Sequence, residues 1–264
     1  MKTNIRSVAL PTTILLLGVL ACNASAFPAP QPTVASVVEQ PAPAGPISES
    51  VTLSSIPLNE ENQTPVYKIT AQIPFLDGST DPRVQAFNRE LKAIVEQEIG
   101  FFKQGTLELP ALPISAGSSL DASYELISQK GNIWSMKFNF NGYSDGAAHP
   151  YIYSRTVNYD LENGAEVALE ELFLPSSNYL QVIADYCEAQ LAARDISFDP
   201  SFSLGADAAP VNYERWNVSE HGLIITFDAS QVAAYAAGPQ TVVIPFSELA
   251  QVTNDQGPIA PYLP

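Results

Sequence analysis

The segment Gly142-Tyr143-Ser144-Asp145-Gly146 fits the G-x-S-x-G spacing that exposes a serine nucleophile, and His149 lies in the same loop. That chemistry needs a strand, a sharp turn and then a helix whose N-terminus helps hold the oxyanion. A second strand is predicted after this loop instead, so the glycines read as backbone freedom for a hairpin or bulge. Tyr143, Asp145, His149 and Tyr151 then become candidates for binding, because conspicuous polar and aromatic groups on loops often carry recognition. A hydrolase of wall or lipid substrates acting through Ser144 and His149 is the alternative.

Other chemistry is thinly represented. His149 and His221 are the two histidines, far apart, and neither sits in a spacing that local metal ligation requires. His221 before Gly222 fits a turn. The adjacent acids Glu60-Glu61 and Glu170-Glu171 point in different directions on any regular element, which does not suit a shared substrate. No phosphate loop, dinucleotide fingerprint or catalytic cysteine arrangement occurs, so no cofactor is expected. Asn62-Gln63-Thr64 and Asn217-Val218-Ser219 match glycosylation sequons, a motif without meaning on a bacterial export route.

The remaining chemistry lies at the start. Lys2 and Arg6 precede an apolar run, Ile14-Leu15-Leu16-Leu17-Gly18-Val19-Leu20, too short to span a bilayer, and Val19-Leu20-Ala21-Cys22 resembles a bacterial lipobox. Cys22 is the expected lipidation site, making residues 1–22 a lipoprotein-type signal. Ala24-Ser25-Ala26 offers a competing cleavage site before Phe27, which would release the chain instead. Cys187 is the second of two cysteines, and its helical spacing with Leu180, Ile183, Ala184 and Leu191 predicts a buried structural thiol.

The formal net charge of -16 in 264 residues rules against nucleic acid, since such a field repels phosphate backbones, and it attracts basic proteins. Residues 23–50 are rich in Pro, Ala, Ser and Gln and read as a disordered tether.

The folded part is expected to begin near Val51, with strands at Val51–Leu53 and Val66–Leu76. Asp81-Pro82 starts a helix whose buried stripe is Val84, Phe87, Leu91, Ile94 and Val95, and which Gly100 or Gly105 can end. Tyr124–Ile127, Trp134–Phe140 and Tyr151–Asp160 follow as strands, the second alternating cleanly. Glu162-Asn163-Gly164 is a turn and Leu169–Phe173 a short helical turn. Ser176 or Ser177 caps a second helix through about Ala193. Strands at Gly222–Phe227 and Thr241–Phe246 flank a short helix around Gln231–Tyr235. The fold class is α+β, strand-rich, with a largely antiparallel sheet and two main helices. Residues 253–264, polar and proline-rich, are expected to be loose.

The block Phe138–Pro150, then Val157–Gly164 and Leu169–Phe173, resembles the exterior domain of RsiV-like bacterial proteins; Gly222–Phe227, Val232–Pro239 and Val243–Phe246 fit that family's closing pattern. Tyr67 to about Phe102 is similar to the companion domain that precedes it. The resemblance covers most of Val51–Leu249 and implies two halves, residues 51–140 and 141–252. In the anti-sigma factor RsiV the exterior part binds lysozyme, and related domains accompany a peptidoglycan deacetylase. This chain shows neither a sigma-binding segment nor a transmembrane helix nor room for a deacetylase domain. The expectation is a non-catalytic, lipid-anchored module exposed outside the cell or to the periplasm, meeting a lysozyme-like basic protein or peptidoglycan. A structural lipoprotein without a specific ligand is the bland alternative.

Overall fold

The computed structural model describes residue 47 and residues 50–109, 116–196 and 203–263. Thr52–Gln63 (β1) and Val66–Asp77 (β2) pair antiparallel in continuous register. Period-two alternation sends Ile69, Ala71 and Ile73 of β2 inward, and Lys68, Thr70 and Gln72 to the opposite face. The same rule separates the two neighbouring acids of β1. Glu60 accepts from Tyr67 Oη and Lys103 Nζ, both at 2.6 Å, whereas Glu61 turns the other way to Lys68 at 3.4 Å.

Pro82–Leu107 (α1) begins where the sequence placed it. The Asp81 side chain accepts the Arg83 N–H at 2.8 Å, satisfying one of the orphan donors of the first turn. The helix runs past Gly100 and Gly105, because Ile99, Phe102 and Thr106 continue its buried face beyond both. Neither glycine is crowded, so neither performs a turn.

Ser118–Lys130 (β3) lies parallel to β2, Ser118 opposite Tyr67, making β2–α1–β3 a crossover unit. Ile133–Tyr143 (β4), Tyr151–Asp160 (β5) and the short Ala165–Glu166 (β6) continue the sheet antiparallel, in the order β1-β2-β3-β4-β5-β6. Under α1 lies the first core, where Trp134, Met136, Phe138 and Phe140 fill the inward face of β4 and Phe87 stacks on Tyr159 at 4.3 Å. The sheet and its core thus continue through β5, past position 140.

The second region opens with a 3-10 turn at Leu169–Leu172, followed by Tyr179–Ala192 (α2). Asn178, not Ser176 or Ser177, occupies the N-cap position of α2, and its side chain makes no capping bond. Trp216–Ser219 (β7), Gly222–Phe227 (β8) and Gln240–Ile244 (β9) form a three-stranded antiparallel sheet, and Phe246–Leu249 is a last short helix (α3). Ile183, Ala184, Cys187 and Leu191 of α2 pack in this second core. Cys187 is fully buried, and burial pushes its thiol up to about 12. In place of the helix expected around Gln231 there is a 3-10 turn at Tyr235–Ala237.

The tail is not loose. Ile259 and Tyr262 are buried in the second core, and Asn254 and Leu174 exchange backbone bonds with Leu172 and Val252. The prolines there bend the chain around two apolar anchors instead of keeping it in solvent. The α+β class with mainly antiparallel pairing stands, β2–β3 being the parallel pair.

The small sheet meets the large one edge-on. β7 has β8 on one side, and its other edge is satisfied by side chains from the large sheet. Asn158 Nδ2 donates to the Trp216 carbonyl at 2.9 Å, Ser128 Oγ donates to the Val218 carbonyl at 2.5 Å, and the Val218 N–H donates to Ser135 Oγ at 3.1 Å. Ser135 Oγ also donates to Asn158 Oδ1 at 2.7 Å and accepts from Asn217 Nδ2 at 2.9 Å, so its full bonding capacity is used. A bulge between Leu126 and Ser128 puts Ser128 opposite Ser135, on the face that meets β7.

Candidate binding surface

The loop between β4 and β5 carries the residues singled out in the sequence, and the structure separates them. Strand–loop–strand geometry replaces the strand–turn–helix that the serine motif requires. Alternation along β4 places Tyr143 with Asn139 and Asn141 on the face away from α1. Tyr151 lies on the α1 side. Its ring covers Gly142, where a Cβ would sit 2.0 Å from Tyr151 Cζ, so only glycine permits this approach. Asp145 ties the loop root to β3: its Oδ1 accepts the Ala116 N–H at 3.2 Å, and its own N–H donates to Ser118 Oγ at 3.0 Å. His149 is exposed at the tip, its Nδ1–H donating to the Pro150 carbonyl at 2.8 Å and its ring 4.4 Å from Tyr235.

Ser144 and His149 share no hydrogen bond. Ser144 lines a cleft of about 170 Å³ with Glu98, Phe102, Tyr151 and Tyr153. In that cleft Glu98 is buried on α1, accepts the Tyr153 hydroxyl and stands 3.3 Å from the Arg155 guanidinium. Burial, then the hydrogen bond to Glu98, pushes the Tyr153 hydroxyl far above its ordinary range; burial, then the Glu98 charge, raises that of Tyr151. Both phenols therefore stay protonated donors at any physiological pH, and the Glu98 side chain fastens α1 to β5 through Tyr153 and Arg155. Among the described residues no group of three or more His, Cys, Asp or Glu side chains is arranged to hold a metal.

Two adjoining clefts lie on the other side of the sheet. One of about 490 Å³ and one of about 290 Å³ share Lys68, Ser119 and Tyr143, a size range typical of small-ligand sites. The first extends toward Gln63 and Gly117 at the β2–β3 end, the second toward Asp121, Asn141 and Pro150. The Lys68–Glu61 pair on this surface is solvent-exposed and worth at most about 1 kcal/mol. Tyr143 was legible as a candidate. Its neighbours Lys68, Thr70, Ser119, Asp121 and Asn141 were not, because polar positions of an alternating strand read only as solvent-facing.

Residues 170–247, essentially the second region, match the family described as protein of unknown function (DUF3298). Over 169 residues, 63% of this chain and 36% of the relative, the sequence is 26% identical to the peptidoglycan-N-acetylmuramic acid deacetylase PdaC of Bacillus subtilis. Over 107 residues it is 24% identical to the immunogenic protein MPT64 of Mycobacterium tuberculosis, covering 39% of this chain and 45% of that one. The chain therefore spans less than half the length of these curated relatives. Crystal structures of DUF3298 family proteins share the fold. That from Bacteroides fragilis superposes with a TM-score of 0.64 at 15% identity, over 81% of this chain and 98% of the other. That from Pseudomonas aeruginosa gives 0.57 at 15% identity, over 78% and 95%.

Proposed function

We propose that this protein is a non-catalytic binding module of the RsiV-like kind, held by a lipidated Cys22 outside the cell membrane and associating with the cell wall. The observation that carries the reading is the open face around Tyr143, whose two adjoining clefts offer a ligand surface, while Ser144 and His149 share no hydrogen bond. Similarity to an enzyme named for peptidoglycan supports the choice of partner. Among the described residues no helix is long and apolar enough to cross a membrane, and Cys22 lies outside them.

Sedimentation of the full chain with purified peptidoglycan sacculi tests the wall reading; a protein left wholly in the supernatant refutes it. Metabolic labelling with a clickable fatty acid tests the anchor, the Cys22→Ser protein losing all label. Recovery of a mature chain beginning at Phe27 from the medium would mean secretion instead. A hydrolase remains a distinct outcome: turnover of a wall or lipid substrate, abolished in Ser144→Ala, would replace the non-catalytic reading.

The net charge of -16 favours a second reading, a lysozyme-like basic protein as partner. Calorimetric titration with lysozyme shows whether this holds, and binding that vanishes between 10 mM and 150 mM salt would mark nonspecific charge attraction, with the Debye length falling from about 30 to about 8 Å.

A further inference from the structure

The large sheet has α1 on one face and, on the other, the small sheet standing near Ser128, Ser135 and Asn158. The remainder of that second face, across β2, β3 and the Tyr143 end of β4, is covered by none of the described elements. Its clefts are not separate hollows. They share Lys68, Ser119 and Tyr143, so the surface is one groove of two compartments with an aromatic side chain at their junction. A groove of that form suits a chain ligand with one unit on each side of the ring.

Charge and hydrogen bonding narrow the class of chain. In a protein of net charge -16, this groove is close to neutral, its Lys68 facing Glu61 at 3.4 Å. A polyanion finds no surplus cation here and a strongly negative surround. A polycation finds Asp121 as the one acid of the groove outside such a pair. Free bonding capacity is instead neutral. Among the described residues none hydrogen-bonds to the side chains of Thr70, Ser119, Asn141 and Tyr143, although each offers a hydroxyl or an amide. Hydroxyls and amides answer hydroxyls and acetamido groups, and the negative face of a tyrosine ring attracts the weakly positive C–H face of a pyranose.

We infer that the groove across β2, β3 and β4 binds an uncharged, acetamido-bearing glycan chain, with Tyr143 as the platform between two sugar units and Thr70, Ser119, Asp121 and Asn141 as its polar rim. This deepens the wall reading and rests on it.

The test uses the full chain with two probes, purified sacculi and a soluble hexamer of N-acetylglucosamine. Both bind the wild type. Tyr143→Ala weakens both at least tenfold, Tyr143→Phe retains most of the affinity, and Asn141→Ala loses about threefold. Ser119→Arg blocks the groove from an exposed position, which keeps the question open to measurement if Tyr143→Ala fails to fold. Phe101→Ala, removing an aromatic that is 59% exposed on α1, changes nothing. Sacculi bound equally by all variants would overturn the groove while leaving the wall reading intact. Sacculi bound but the hexamer ignored, or polygalacturonate bound as tightly as the hexamer, would overturn the ligand class. No binding to sacculi at all would remove the wall reading and this inference with it.

Discussion

The two sheets of this protein dispose of their faces in opposite ways. The large sheet buries one face under α1 and shows much of the other to solvent, so β4 alternates Trp134, Met136, Phe138 and Phe140 against Lys137, Asn139 and Asn141. In the small sheet the strand at the joint is enclosed: every residue of β7 is buried, including Asn217 and Ser219, while Thr241 and Val243 of β9 face solvent. A half-covered sheet leaves surface for a ligand, whereas an enclosed strand spends its polar groups on holding the molecule together.

The sharpest way to break this comparison is to empty the core that α1 shares with the large sheet. Phe138→Ala should cost about 4 kcal/mol, read from the midpoint of urea unfolding. If the two regions unfold together, labelling of Cys187 by a thiol reagent accelerates in the same variant, since that thiol is sealed in the second core. Unchanged labelling would mean the regions open independently. Next in size is the joint itself. Ser135→Ala leaves the Val218 N–H and Asn158 Oδ1 without this partner inside the protein and should cost about 2–3 kcal/mol.

Smaller changes separate the helix from the sheet. Asp81→Ala removes the α1 cap and should cost about 1 kcal/mol. The Arg83 guanidinium, with its backbone N–H, holds the Asp81 carboxyl below the usual carboxylate range. A lowered folded value means the stabilisation is present above the unfolded value of about 3.9 and is lost as pH falls through the folded one. The wild type should therefore lose more stability on acidification than Asp81→Ala, as a pH series of melting temperatures would show. The smallest effect has the opposite sign: Gly100→Ala, at an open helical position, should stabilise by roughly 0.5–1 kcal/mol.

The same contrast explains what could be read in advance. Clean alternation made β4 and the Tyr143 side of the sheet visible, and the Asp-Pro start with its apolar stripe made α1 visible. β7 carried no such sign. Its Asn217-Val218-Ser219 matches a sequon, yet Asn217 is buried by virtue of partners in the distant β4, Ser135 and Met136, which no local pattern records. Nor could the bulge that turns Ser128 toward β7 be seen, because it depends on pairing and not on composition. The candidate loop was located but its four residues were grouped too closely: Tyr143 and Tyr151 lie on opposite faces, Asp145 at the root and His149 at the tip.

The side-on attachment of β7 sets a limit on how this molecule can be divided. A fragment trimmed to residues 170–247 would keep β7, β8 and β9 yet lose Ser128, Ser135 and Asn158 from one flank and Ile259 and Tyr262 from its interior. Its first strand would then offer bare backbone to any neighbour, an invitation to clumping. The unit for expression or grafting is therefore the whole span from β1 to Tyr262, and the family match marks a recognisable stretch of sequence inside it.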